Sequence, residues 1–211
     1  MPSLELELAL QSQGHSLVAG VDEVGRGPLA GPVMAGAVIL SPDLDPSEPW
    51  LKGINDSKKL TPLQRERAAE EVHRRAVAVG IGLSDPQEID SLGISKATIL
   101  ALQRAVQSLA IRPHHLLIDY VALPDSGFPN SAVKGGDGRC YSIAAASIVA
   151  KVARDRLMVE ANDIYTDYGF HLHKGYGTQH HIHQLNSIGP CSFHRFSFSP
   201  VRRAQFLLQE A

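Results

Sequence analysis

The chain has 211 residues, 44% of them hydrophobic, and a formal net charge of −2. That suits one domain with a sizeable core and a small appendage. No run approaches the ~20 apolar residues of a membrane-crossing helix. Cys140 and Cys191 are too few and too isolated for a disulfide framework or a zinc ribbon. The N-terminus, MPSLELELALQSQG, places acids where a signal peptide needs a basic start, so a reducing cytoplasm is the expected location. Charge is unevenly spread. Residues 1–129 carry 11 Lys and Arg against 16 Asp and Glu, whereas residues 130–211 carry 9 against 6 and hold six of the ten histidines. A basic half beside an acidic pocket suits a polyanion gripped in one place and cut in another.

In chain order, residues 1–15 read as a short helix or arm. Leu17–Leu40 follows as two apolar runs joined by Gly25-Arg26-Gly27-Pro28, the pattern of a β-hairpin. SPDLDPSEPW and LKGINDSKKL read as loops. Thr61-Pro62-Leu63-Gln64 is a capping box with proline at the first helical position, predicting a helix to about Arg75. Ala76–Leu83 predicts a buried third strand. Asp85–Glu88 starts a short helix ending near Gly93, and Ser95 opens a longer one with Ile99, Leu102, Val106 and Leu109 on one face. His115–Asp119 is a fourth strand. A loop through Pro124–Asn130 leads to a short strand, Ser131–Lys134, and then to Gly135-Gly136-Asp137-Gly138. Tyr141–Ala161 predicts a long, largely buried helix, and further helices start at Thr178 and Pro200. His180 and His181 fall on what should be a polar, exposed helical face. Strands followed by alternating helix and strand predict an α/β or mixed-sheet domain with a helical C-terminal extension.

The familiar phosphate-loop, nucleophile-elbow and zinc motifs are absent. Acids at the ends of apolar segments remain: Asp22, Glu23, Asp119 and Asp137. Each has an ordinary reading as well, Asp22-Glu23 as a strand end in solvent, Asp119 as a cap and Asp137 as a turn residue between glycines. Together they say more. Two carboxylates about 4 Å apart repel by ~4 kcal/mol at an effective dielectric near 20, so convergence calls for a cation. Oxygen ligands select hard ions, Mg²⁺ or Mn²⁺. Two such ions ~3.5–4 Å apart suit phosphodiester hydrolysis.

VDEVGRGPLAGPV, NDSKKLT, LLID, KGGD with SIAAASIVAKVARDRLM, and YGFHLHKGYGT with FHRFSFSPV occur in this order between about Leu17 and Val201. In this the chain resembles ribonuclease HII. The resemblance implies a ribonuclease-H-like mixed five-stranded sheet, its first three strands antiparallel, flanked by helices. It implies a catalytic domain over residues 1–165 and a substrate-clasping helical segment over residues 166–211, within one compact unit. The metal-binding, catalytic acids would be Asp22, Glu23, Asp119 and Asp137, holding two Mg²⁺ or Mn²⁺ ions. The implied activity is cleavage of the RNA strand of RNA–DNA hybrids and nicking 5′ to single ribonucleotides in duplex DNA, leaving 3′-hydroxyl and 5′-phosphate ends.

By the same resemblance, the backbone of Gly25, Arg26 and Gly27 contacts the ribose 2′-hydroxyl. Tyr176 packs on the following sugar, and Ser57, Lys58 and Lys59 meet backbone phosphate. Lys134, Ser142, Ser147, Lys151, Arg154 and Arg195 are further phosphate candidates, although Arg154 and Asp155 could instead pair on the helix surface. Asp119-Tyr120-Val121 departs from the family's common Asp-Gly-Asn, which bears on loop geometry and not on the acid. The alternative is a non-catalytic nucleic-acid-binding module of the same fold, but no acid is missing. A monomer is expected, and QFLLQEA offers no sliding-clamp signature.

Overall fold

The computed structural model describes residues 2–123 and 126–209, the side chains of 207–209 excepted. Pro124 and Asp125 of the expected loop, and the end of the QFLLQEA tail, lie outside the described residues. Five strands form one sheet: β1 (Val18–Val24), β2 (Val33–Ile39), β3 (Ala78–Ser84), β4 (His115–Asp119) and β5 (Asn130–Val133), in the order β3-β2-β1-β4-β5. β1 runs antiparallel to β2, from Ala19 opposite Ile39 to Val24 opposite Met34. β4 lies parallel to β1 and β5 parallel to β4, so the sheet is mixed. The helices are α1 (Glu5–Ser12), α2 (Pro62–Arg75), α3 (Pro86–Leu92), α4 (Ile94–Gln107), α5 (Tyr141–Ile164), α6 (Phe170–His173), α7 (Gln179–Ile188) and α8 (Ser199–Gln209). Among the described residues no helix is long and apolar enough to cross a membrane.

Contacts divide the chain into two compact units. One comprises residues 1–24, 34–83 and 99–152, the other residues 25–33, 84–98 and 153–211. Each is therefore discontinuous in sequence.

The first unit contains the sheet. Every residue from Tyr141 to Ala150 is buried, as expected of a helix apolar on all sides. Its alanines let the α5 backbone settle on the sheet. A Cβ at Gly20 would lie 2.1 Å from the Ser142 carbonyl carbon, and one at Gly36 would lie 2.4 Å from the Ala146 carbonyl oxygen. Glu7 of α1 fixes the start of α5, its Oε1 accepting from the Ser142 amide at 2.9 Å and hydroxyl at 2.7 Å. Burial raises the Glu7 carboxyl above its ordinary pKa, the Ser142 bonds opposing the shift. α2 begins as its sequence requires, with Thr61 and Gln64 exchanging side-chain-to-backbone bonds.

β3 departs from expectation. It is not buried throughout but alternates, and its buried positions are Ala78, Gly80, Gly82 and Ser84. The cause lies in α4, whose Ala105 and Ala101 carbonyls would each stand 2.3 Å from a Cβ at Gly80 and Gly82. Small residues face the helix there, and Val79 and Ile81 are only partly buried against the core of α2 and α5.

The second unit is built around aromatic and imidazole rings. Tyr168, Phe170, His173, His181 and His194 stack or meet edge to face, with the His173 and His181 centroids 4.4 Å apart. His181 is thus not on an exposed face, as the sequence suggested, but fully buried, because α7 turns its first-turn histidine onto His194. One neutral tautomer set accounts for the contact between the two rings and for their amide and carbonyl partners at 3.1 Å or less. His181 Nδ1–H donates to the Tyr176 carbonyl at 2.9 Å, and its Nε2 accepts from His194 Nε2–H at 2.9 Å. His194 Nδ1 then accepts from the Cys191 amide at 3.1 Å.

Protonating His181 would set N–H against N–H. Burial accordingly lowers the pKa of His181 to about 4 and that of His194 to about 3. Depressed histidine values contribute stability that is complete above the unfolded pKa near 6.5 and falls as the pH drops from there toward 4. Replacing His194 by Gln should flatten the fall in urea-unfolding free energy between pH 7 and pH 5. Wild type should lose up to roughly 2 kcal/mol more than the variant per histidine affected. The raised carboxylates of the first unit act with opposite sign and cancel in the comparison. Equal pH slopes in both proteins would refute the tautomer assignment.

The close approach of α5 carries its own prediction. Gly20→Ala and Gly36→Ala should each destabilise the protein by at least ~3 kcal/mol in urea unfolding, since backbone must shift to admit a methyl. Gly53→Ala, which meets nothing within 4 Å, should stay close to wild type.

Candidate metal centre

Asp22 and Asp119 are brought together by strand pairing. The parallel register matches Val21 with Ile118, so Asp22 and Asp119 are the next residues along two neighbouring strands. Adjacent strands lie about 4.8 Å apart, and residues in register share a face. Asp137 arrives from the short turn Gly136–Gly138 between β5 and α5. That turn is fastened to the site by the Gly136 amide, which donates to Asp119 Oδ1 at 2.7 Å. One carboxylate oxygen from each of Asp22, Asp119 and Asp137 lies within 4.8 Å of the others.

Glu23 does not join this set. It follows Asp22 on β1, where neighbouring side chains point to opposite faces, and its amide donates to Asp22 Oδ1 at 2.8 Å.

The three acids are poorly hydrated. Asp22 and Asp137 are buried and Asp119 is half-buried. Burial raises the Asp22 carboxyl well above its ordinary pKa. A hydrogen bond from Ser147 opposes this, and the charges of Glu23 and Asp119 add to it. Burial likewise raises Asp119, against the bond from Gly136. A hard divalent cation removes this penalty, and three clustered oxygen donors are the set such a cation takes. The residues therefore fit a divalent ion of the Mg²⁺ or Mn²⁺ type.

Lys58 brings a positive charge to the rim, its Nζ 3.4 Å from Asp137 Oδ2. Desolvation, the largest single influence on Lys58, favours the neutral amine, but Asp137, Asp56 and Asp22 outweigh it and raise the pKa. The loop around it is held from below. Arg65 donates to the Ser57 carbonyl at 3.0 Å, and Asp56 Oδ1 accepts from the Lys58 amide at 2.9 Å. Ser57 Oγ meets Ser147 Oγ at 3.1 Å. Lys58 and Lys59 are exposed and Ser57 is buried, so only the lysine side chains of this trio offer themselves to solvent.

A ribonuclease HII family profile matches residues 19–201. The chain belongs to the ribonuclease HII family. Ribonuclease HII of Bacillus cytotoxicus is 47% identical over 196 residues, covering 93% of this chain and 73% of that protein. Ribonuclease HII of Caldicellulosiruptor bescii is 45% identical over 194 residues, 92% of each chain. Among solved structures, ribonuclease H2 from Pyrococcus horikoshii OT3 matches with a TM-score of 0.80 at 26% identity, covering 92% of this chain and all of that one. The ribonuclease-H-like mixed sheet flanked by helices follows, and so does the class of enzyme, a metal-dependent endonuclease.

The remaining family-derived residues lie in the second unit. Gly25 is buried with φ +86°, Arg26 and Gly27 are exposed, and Tyr176 is 42% exposed beside the left-handed Gly175.

Several phosphate candidates are otherwise engaged. Ser142 bonds Glu7, and Ser147 bonds Asp22 and Ser57. Arg154 and Arg195 have no exposed surface and donate to backbone carbonyls, so they neither reach phosphate nor pair on a helix surface. The sequence missed this because the accepting carbonyls lie up to 170 residues away. Tyr120 takes a left-handed φ of +62°, a conformation that favours the glycine common to the family, and it stands 72% exposed.

Proposed function

We propose that this chain hydrolyses the RNA strand of RNA–DNA hybrids and nicks 5′ to single ribonucleotides in duplex DNA, leaving 3′-hydroxyl and 5′-phosphate ends. The observation carrying the reading is the convergence of Asp22, Asp119 and Asp137 oxygens within 4.8 Å in a chain of this family. Asp22, Asp119 and Asp137 hold divalent ions, Mg²⁺ or Mn²⁺, and Glu23, outside their cluster, adds its negative charge beside Asp22. A bound pair of such ions supplies an activated water and stabilises the departing oxygen.

The chain's own groups do the rest. The Gly136 amide orients Asp119, and Ser147 and the Glu23 amide orient Asp22. The exposed Lys58 and Lys59 ammonium groups meet phosphate as point charges, while Ser57 supports their loop. Gly25, Arg26 and Gly27 offer backbone to the ribose 2′-hydroxyl, the group that separates RNA from DNA. Tyr176 packs its ring on the following sugar. The reading extends to a cytoplasmic monomer.

The decisive experiment incubates the protein with Mg²⁺ and three duplexes: an RNA–DNA hybrid, DNA carrying one ribonucleotide, and DNA alone. The first two should be cut and the third left whole. An intact ribonucleotide-bearing duplex would end the nicking assignment. Asp119→Asn should lower the cleavage rate at least ~1,000-fold while leaving duplex affinity within about twofold, because the acid is assigned to metal and not to recognition. Full activity of that variant would remove Asp119 from the ligand set. Tyr176→Ala should slow cutting at a lone ribonucleotide about tenfold or more, in line with the loss of one stacking contact. Unchanged rates would remove its assigned role.

A further inference from the structure

The Gly25–Gly27 turn is held from inside its own unit by a buried cation. Arg195 Nη2 donates to the Gly25 carbonyl at 2.6 Å, Nη1 to the Arg26 carbonyl at 2.9 Å, and Nε to the Gly31 carbonyl at 2.9 Å. In a trans peptide the N–H points opposite to the C=O. With the carbonyls of Gly25 and Arg26 both turned onto Arg195, the N–H groups of Arg26 and Gly27 are directed away from it. Gly27 is exposed, and a Cβ there would meet nothing within 4 Å, so this amide lies on an open surface.

A second guanidinium works beside the first. Arg154 donates to the carbonyls of Pro32 at 3.0 Å, Ala30 at 3.2 Å and Lys174 at 3.0 Å. Its reach to Lys174 ties the same loop to the turn that carries Tyr176, and the Leu29 amide reinforces the tie by donating to the Gly175 carbonyl at 2.8 Å. Gly25 could not be another residue without moving Arg154, whose Nε would lie 2.2 Å from its Cβ.

Neither guanidinium hydrogen-bonds a carboxylate among the described residues, and both are fully buried. Burying an ion costs several kcal/mol, and apolar side chains of similar size commonly fill such space with no loss of stability. Packing alone therefore does not account for the pair. What a guanidinium supplies and an aliphatic chain lacks is direction, since its planar fork fixes where three carbonyls point.

We propose that Arg195, backed by Arg154, is a positioning residue for ribonucleotide recognition. It holds the Gly25 and Arg26 carbonyls inward so that the Arg26 and Gly27 amides present a rigid pair of donors to the ribose 2′-oxygen. A deoxyribose offers no acceptor there. The proposal rests on the reading of Gly25–Gly27 given above and adds what sets their geometry.

The test measures binding by fluorescence anisotropy in the Asp119→Asn background, which keeps duplexes uncut. Two duplexes are compared, DNA with one ribonucleotide and the same sequence wholly DNA, and the quantity read is the ratio of their affinities. Arg195→Met should reduce that ratio about fivefold or more, the worth of roughly one hydrogen bond, while affinity for the all-DNA duplex stays within about twofold. Arg195→Lys, which keeps the charge but not the fork, should fall between. A role in stability alone would lower the folded fraction and leave the ratio untouched. A folded Arg195→Met protein with the parental ratio overturns the proposal. Should Arg195→Met fail to fold, Gly27→Pro removes one of the two amide protons with both arginines in place, and an unchanged ratio there is equally fatal. A parent protein with no preference for the ribonucleotide sinks the recognition reading itself, an outcome distinct from loss of coupling to Arg195.

Discussion

At Gly20 and Gly36 the backbone of α5 lies closer to the central strands than any side chain would permit, and the first unit is assembled on that contact. It places Ser147 over Asp22 and the start of α5 beside Glu7. The turn preceding the helix delivers Asp137 to the ends of β1 and β4. A wider gap between helix and sheet would admit water to Asp22 and part it from the serine that holds it. A steric requirement at two glycines thus becomes an electrostatic property of a carboxylate.

The two units solve opposite electrostatic problems by similar means. In the first, acids are concentrated and supported by donors, namely the Gly136 amide, the Glu23 amide and the Ser147 hydroxyl. These bonds offset only part of the repulsion, and a cation would offset the remainder. In the second, two guanidiniums are concentrated and supported by six carbonyls. There three backbone carbonyls take up each guanidinium and fix its direction, although burial still lowers the Arg195 pKa to about 9. Crowded acids invite a counter-ion, whereas cations tied to carbonyls shape the chain around them.

The histidines follow the second pattern. His173, His181 and His194 have the composition of a transition-metal site, yet each ring nitrogen already has a partner from backbone or from another ring. Their burial makes the unit sensitive to acid without making it a ligand site. Tyr120 illustrates a different economy, for an exposed side chain is tolerated in a left-handed conformation directly after Asp119 because the turn there is set by Asp119 and its neighbours.

By itself the sequence determined the elements and the acids. Apolar runs of strand length ending in Asp, a capping box at Thr61, and an alanine-rich stretch without breakers are local patterns, and local physics reads them. Asp22 and Asp119 stood out for the same reason, since a carboxylate within or closing an apolar run is anomalous, whereas Asp137, a turn residue between glycines, was marked only by the family resemblance. Only the tertiary structure decided which acids share one point, leaving Glu23 aside through strand alternation. It also buried Arg154, Arg195 and His181, which look like surface groups when their local segments are considered alone. Those side chains depend on carbonyls and rings brought from distant parts of the chain, and charge or periodicity along a helix carries no information about partners that folding supplies.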